Sequence, residues 1–403
     1  MRILYINSLY APEVAGGAER VVQAQAEAMQ AAGHSIGVLA LTREPGLHLN
    51  TVNEIPVWKA GLRNIYFHYD ELSRTTASPL QRKIWHAIDA YNPLMKPFVR
   101  KVIEDFRPDV ASVHNLNGWS IAAWDALKAS RVPIVQVLHD QYLLCPTATM
   151  FRDNRRCVTR CTSCQTLRAL HRFKIRNVDT VVGVSRFICD KLRSYGYLNH
   201  QRSVTTIPNI RDVSHERIPL PGCNETGKTF FGYIGAITPP KGVEFLLEAM
   251  AKTRDEDWKL LIAGGGEAQY VEALQKKFSD HRIEFLGRVN ARAFFERINV
   301  TIIPSIWEDT FPSVAFESIL YGRPVLGSRI GGIPELVNDE NGRLFTPGDS
   351  ADLLSSIRWA VSNREGLRAS AQAISINASR FGDRARWIED WTRVYGDAIQ
   401  YAG

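Results

Sequence analysis

A chain of 403 residues exceeds the size at which one hydrophobic core stops growing, and with 45% apolar and 23% charged residues it reads as two ordinary globular domains, not a disordered or repetitive chain. No apolar run reaches the roughly 18 to 20 residues that span a bilayer, and the start, MRILYINSLYAPE, lacks a signal peptide's long apolar centre, so a cytoplasmic protein is expected. The net charge of +7 is uneven: residues 1 to 200 hold 25 Lys and Arg against 16 Asp and Glu, and the rest 24 against 26. That imbalance suits an inner membrane face or an anionic acceptor; an ordinary solvated basic face is the other reading.

In chain order, RILYINSLY is an apolar β-rich run, followed by a loop with Gly16 and Gly17 and then AERVVQAQAEAMQAAGH, an amphipathic helix stopped by Gly33. SIGVLALT is the next strand, and this order opens a doubly wound α/β domain. Further strands are expected at DVASVHN, PIVQVLHD and DTVVGVS, whose ends are where such sheets bind ligands. The Pro- and Gly-rich stretch 207–228 reads as a linker. Strand and helix then alternate afresh through TFFGYIGAI, GVEFLLEAMAKT, WKLLIAGGG, AQYVEALQKKF, RIEFLGRV, AFFERIN, VTIIPSI, PSVAFESILYG and RPVLGSR. The expected organisation is a Rossmann-like domain over 1–210, a second over 225–380, and a helix over 381–403 returning to the first. The apolar face of that helix, Trp387, Trp391, Val394 and Tyr395, reads as a docking surface.

The most informative segment is PSIWEDTFPSVAFESILYGRPVLGSRIGGIPELV, beginning at Pro304. Asp309 follows a strand, Thr310, Phe311 and Pro312 form a tight turn, and Ser313 and Val314 open a helix carrying Glu317. Free N–H groups at a helix start suit a diphosphate, and a carboxylate one turn in can accept hydrogen bonds from two vicinal ribose hydroxyls. Taken singly, Glu317 is equally a solvated helix residue. Gly16 and Gly17 let backbone amides approach phosphates or sugar closely, and Lys241 offers a point charge to a diphosphate.

The acidic segment resembles the signature of the family 4 retaining glycosyltransferases of GT-B fold. The likeness extends through Gly16 to Glu19, His139 and Asp140, Pro208 and Asn209, Lys241 and Gly242, and Gly264 to Glu267. It implies two Rossmann-like domains facing a cleft, a UDP- or GDP-sugar donor, a glycan or lipid-linked acceptor, a place in surface polysaccharide synthesis, and transfer that needs no metal. Asp309, His139 and Lys241 would serve the transfer. Gly16, Gly17, Gly235, Lys241, Gly264, Arg288, Phe311, Pro312, Ser313, Val314 and Glu317 would hold the donor. Two positions depart from the pattern: Ala236 stands where an Arg usually follows Gly235, with Arg288 a substitute cation, and Asp309 replaces the usual Glu.

Cys145, Cys157, Cys161 and Cys164, separated by eleven, three and two residues, suggest a structural zinc on a loop after His139; four reduced thiols are the plainer reading. Cys189 and Cys223 read as packing residues. Arg152, Arg155, Arg156 and Arg160 in that loop suit phosphates of a lipid-linked acceptor or membrane headgroups. A zinc- and Arg-based nucleic-acid module is disfavoured because aromatics to stack on bases are scarce there, so no nucleic-acid partner is expected. A nucleotide-sugar epimerase of similar architecture is the other enzyme reading, and the acidic segment argues against it.

Overall fold

The computed structural model describes residues 1–14, 16–210, 227–253 and 257–401. It divides into two compact units, one of Met1–Met150, Val158–Pro208 and Ala385–Gly403, the other of Phe151–Cys157 and Asn209–Arg384. Most of the stretch read as a linker, Cys223 included, lies outside the described residues.

The first unit is built on β1 (Arg2–Ile6), β2 (Ser35–Thr42), β3 (Leu47–Val52), β4 (Ile55–Gly61), β5 (Val110–Val113) and β6 (Ile134–Leu138). A short antiparallel hairpin, β7 (Phe151–Arg152) and β8 (Arg155–Arg156), follows in the chain, and then β9 (Thr180–Gly183) and β10 (Ser203–Thr206) complete the sheet. Among the described residues its order is β10-β9-β6-β5-β1-β2-β4-β3, parallel throughout except where β3 turns back on β4. The central strands β5 and β6 are wholly buried, as expected where helices cover both faces of a parallel sheet. β3 is the mostly exposed edge, joined to β4 by a two-residue turn at Asn53 and Glu54, both with positive φ, the geometry that matches strand twist.

No element is expected from sequence between 43 and 109, yet β3, β4 and the helices Glu71–Thr76, Pro79–Ala90 and Lys96–Phe106 lie there. β4 escapes a pattern search because Lys59 interrupts its apolar run. The Lys59 side chain is buried, and its ammonium pairs with the Glu13 carboxylate. At the other end of the chain the helix Arg384–Gln400 buries Trp387, Trp391, Val394 and Tyr395 within this unit. Trp387 Nε1 donates to the Pro208 carbonyl at 3.0 Å, and the Trp391 ring stacks on Tyr395.

The second unit holds β11 (Thr229–Ile234), β12 (Trp258–Ala263), β13 (Ile283–Gly287), β14 (Val300–Ile303), β15 (Val325–Ser328) and β16 (Gly342–Phe345), all parallel, in the order β13-β12-β11-β14-β15-β16. Its core packs Phe231, Leu246, Leu247, Trp258, Ile262 and Ile302 between sheet and helices. Strand order reverses between β11 and β14, and the loops leaving these two strands frame the point where a doubly wound sheet opens for a ligand.

Candidate active site

In the second unit the chain leaves β11 through Gly235, whose N–H donates to the Ala263 carbonyl at 3.0 Å, and turns at Pro239–Lys241. Gly264, at the end of β12, donates to the Gly287 carbonyl at 2.7 Å. Gly242 has φ of 72°, and a Cβ there would stand 1.9 Å from the Pro304 carbonyl oxygen, so only glycine lets the loops after β11 and β14 touch. The Ile306 N–H closes that contact on the Pro240 carbonyl at 3.0 Å. The approach brings the Lys241 ammonium onto the Asp309 carboxylate, with the Trp307 ring 5.4 Å beneath the charge.

Asp309 is itself held from behind: the Gly332 N–H donates to its carbonyl at 2.7 Å. The Phe311 ring lies tilted against Phe316, and Pro312 takes the N-cap position of the helix Ser313–Leu320, leaving Ser313 exposed and Val314 half-buried at the helix start. Glu317, one turn in, is only 4% exposed, which removes the solvated-residue reading of that carboxylate. Arg288 is exposed after β13 and lays its guanidinium beside Gly265. Tyr233 was not singled out from sequence; its hydroxyl donates to the Ala236 carbonyl at 2.6 Å, and burial, then the Asp309 charge, raise its pKa. One sheet end thus gathers a cation, two buried carboxylates and a helix start.

In the first unit Gly16 and Gly17 open the helix Gly17–Ala31, and both are exposed. The buried Glu19 carboxylate folds back to accept the Gly16 N–H at 2.8 Å. His139 directly follows β6, and its Nε2 lies 2.8 Å from Nδ1 of His114, which directly follows the neighbouring β5. Burial lowers His139 to about 4 and His114 well below its usual value, so both rings are neutral near pH 7. Asp140 beside them is pushed up to about 6 by burial, against the pull of the Tyr142 N–H and of Arg168. His114 went unnoticed in the sequence, although SVHN and VLHD place a His at the same point of adjacent strands.

The loop after β6 is anchored by a buried group: Asp89 accepts the Gly118 N–H at 2.7 Å and the Tyr142 hydroxyl at 2.9 Å, and Arg168 lies over the Tyr142 ring. On it the Cys145 thiol is drawn down to about 5 by a hydrogen bond from Cys164, helped by Thr147 at 3.2 Å. Cys161 Sγ lies 3.1 Å from the Ser163 hydroxyl and also meets Cys164. Cys157 closes the segment Phe151–Cys157, and Cys189 is buried as expected. Among the described residues no group of three or more His, Cys, Asp or Glu is arranged to hold a metal ion. Arg152, Arg155 and Arg156 are exposed on the β7–β8 hairpin, whereas Arg160 turns onto the Tyr195 ring at 4.9 Å.

These two strand-end clusters, each on its own Rossmann-like parallel sheet, define a glycosyltransferase of GT-B fold. Residues 15–215 match the family described as Glycosyltransferase Family 4 and residues 228–363 that described as Glycosyl transferases group 1; the chain belongs to this family. It is 28% identical over 338 residues to an uncharacterized 42.6 kDa protein in the cps region of Klebsiella pneumoniae, covering 83% of this chain and 87% of that one. It is 25% identical to the glycogen synthase of Mycobacterium tuberculosis over 93% of this chain and 89% of that one. Among solved structures, sucrose-phosphate synthase from Thermosynechococcus elongatus superposes with a TM-score of 0.77 at 18% identity, covering 99% of both chains. Anabaena HepE, in complex with UDP and glucose, does so at 0.69 and 19%, over 98% of this chain and 99% of that one. No helix among the described residues is long and apolar enough to cross a membrane.

Proposed function

We propose that this glycosyltransferase moves a sugar from a UDP- or GDP-sugar to a glycan or lipid-linked acceptor, with retention of anomeric configuration, in the synthesis of surface polysaccharide. The observation that carries the reading is the joining of Lys241 and Asp309 across the β11 and β14 strand ends, beside the buried Glu317. In this reading Glu317 accepts hydrogen bonds from the ribose hydroxyls and Asp309 those of the transferred sugar. Lys241, with the amides at Ser313 and Val314 and with Arg288 in place of the missing Arg at 236, neutralises the leaving diphosphate. The helix start at Gly16 and Gly17 and His139 serve the transferring region and the acceptor from the first unit. The position of a relative in a cps region and the UDP and glucose bound to a structural neighbour support the substrate class. No metal enters the transfer.

A thermal-shift panel of UDP, GDP and ADP tests the donor reading. The matching nucleotide at 100 times its dissociation constant should stabilise the protein by about 2.7 kcal/mol. No shift with any of the three would remove it. Proton NMR of the product should show the donor's anomeric configuration; the inverted anomer would exclude retention, and a changed sugar formed without acceptor would instead indicate an epimerase.

The finer reading of the cysteine loop is a zinc staple. It is supported by the contacts of Cys164 with Cys145 and with Cys161, and by the backbone N–H hydrogen bonds that the latter two sulfurs accept. The exposed Arg152, Arg155 and Arg156 support a second finer reading, a visit to an anionic membrane surface from the cytoplasmic side.

A further inference from the structure

The His139–His114 contact is one end of a longer buried chain of hydrogen bonds. Tyr395, on the C-terminal helix Arg384–Gln400, receives the side-chain amide of Gln25 at 2.9 Å and donates to Ser112 Oγ at 2.9 Å; the Tyr5 hydroxyl is farther, at 3.4 Å. Ser112 Oγ lies 3.0 Å from His114 Nε2, and His114 Nδ1 lies 2.8 Å from His139 Nε2. Gln25, Tyr395 and Ser112 are fully buried and His114 nearly so. The Gln136 amide, fixed by the Trp124 indole, holds the His114 carbonyl at 2.9 Å, so the strand end cannot drift. The hydrogen bonds join four distant parts of the sequence at the ends of two neighbouring strands.

Proton counting gives this chain a direction. An amide nitrogen only donates, so the Tyr395 oxygen accepts from Gln25 and its single proton goes to Ser112. Ser112 then passes its own proton toward His114 Nε2. A neutral imidazole with one nitrogen accepting must carry its proton on the other, so His114 donates from Nδ1 to His139 Nε2. The His139 proton is left on Nδ1.

We infer that Tyr395, Ser112 and His114 are positioning residues that hold His139 as its Nδ1–H tautomer, so that His139 meets the transferring sugar as a hydrogen-bond donor and not as a base. The inference rests on the proposed placing of His139 at that sugar. An Nδ1–H can steady a hydroxyl or a developing negative oxygen, whereas removal of the acceptor's proton falls to another group. It also gives the C-terminal helix a part in the chemistry beyond packing.

Long-range 1H–15N correlation of the histidine rings in the full-length protein, assigned by loss of signals in His139→Gln and His114→Gln, reads the tautomers directly. Nδ1–H on His139 is expected in the wild type; Nε2–H would mean that the chain runs the other way and would overturn the inference. Tyr395→Phe and, independently, Ser112→Ala should let the Nε2–H form of His139 appear and lower kcat on the order of tenfold with KM near its original value. Lower kcat with an unchanged tautomer would make Tyr395 a packing residue only and defeat the inference. Full transfer by His139→Ala would instead refute the placing of His139 at the sugar, leaving the wild-type tautomer as a separate result.

Discussion

Lys241 and Asp309 are partners, their side chains 29% and 11% exposed, so each offsets the other's charge at a site largely removed from water. Removing either leaves the other without its counter-charge, and the two substitutions should not add. In a cycle of Lys241→Ala, Asp309→Ala and the double variant, turnover should reveal a coupling of about 0.5 to 3 kcal/mol, and strict additivity would argue against a shared task. Glu317→Ala should weaken nucleotide binding by roughly tenfold to a hundredfold, the worth of hydrogen bonds to a charged group, while Asp309→Ala mainly lowers kcat. Titration calorimetry with the nucleotide separates them, and equal affinity in wild type and Glu317→Ala would contradict the assignment. The buried imidazoles set a pH dependence. His139, at about 4 in the fold against 6.5 unfolded, binds fewer protons in the native state, so its stabilisation is full above pH 6.5 and lost as pH falls toward 4. Asp140, raised to about 6, takes up its proton earlier in the fold than out of it and offsets most of that loss. His86, lowered to about 4, and His114 and His171, both lowered mainly by burial, add to the loss at acid pH, against Asp89, which burial raises. Urea unfolding at pH 7 and 4.5 should show lower stability at the acid end, with Asp140→Asn steepening the loss and His139→Gln easing it.

At the level of elements, the cysteine loop and the C-terminal helix are each positioned by residues far from them in sequence. The loop depends on the Asp89, Tyr142 and Arg168 group, whose charged members are fully removed from water. If zinc staples it, protein purified without chelator should carry about one zinc per chain, released when the cysteines are replaced by serine. Titration of every thiol with no metal found would leave a hydrogen-bonded thiol cluster. The C-terminal helix is bound by its aromatic face, and its periodicity was plain from the spacing of Trp387, Trp391, Val394 and Tyr395. What that face covers was not plain. Nothing in a stripe of aromatics foretells that one hydroxyl on it will meet Ser112.

For the molecule as a whole, the basic excess of the first 200 residues has a concrete outlet in the β7–β8 hairpin, where Asp153 and Asn154 turn the chain with positive φ and present Arg152, Arg155 and Arg156 to solvent. Binding to anionic vesicles should fall steeply with salt, and neutralising these three arginines should cost about 1 kcal/mol each, read by vesicle sedimentation. Absence of binding at low salt would point to a small soluble acceptor. The sequence by itself determined the class of fold and the acidic helix start, because both are written in local terms. Parallel strands covered on both faces need unbroken apolar runs, a helix ends where glycine lets it, and a carboxylate one turn into a helix sits at a fixed distance from the helix start. Where local terms fail, at β4 with its buried Lys59, the element was missed. The tertiary structure alone decided which strand ends adjoin. Lys241 meets Asp309 across 68 residues, and Tyr395 reaches Ser112 across 283, contacts set by strand order and the return of the last helix. A hydrogen bond needs its two atoms within about 3 Å, and no periodicity in a sequence encodes proximity between residues so far apart along the chain.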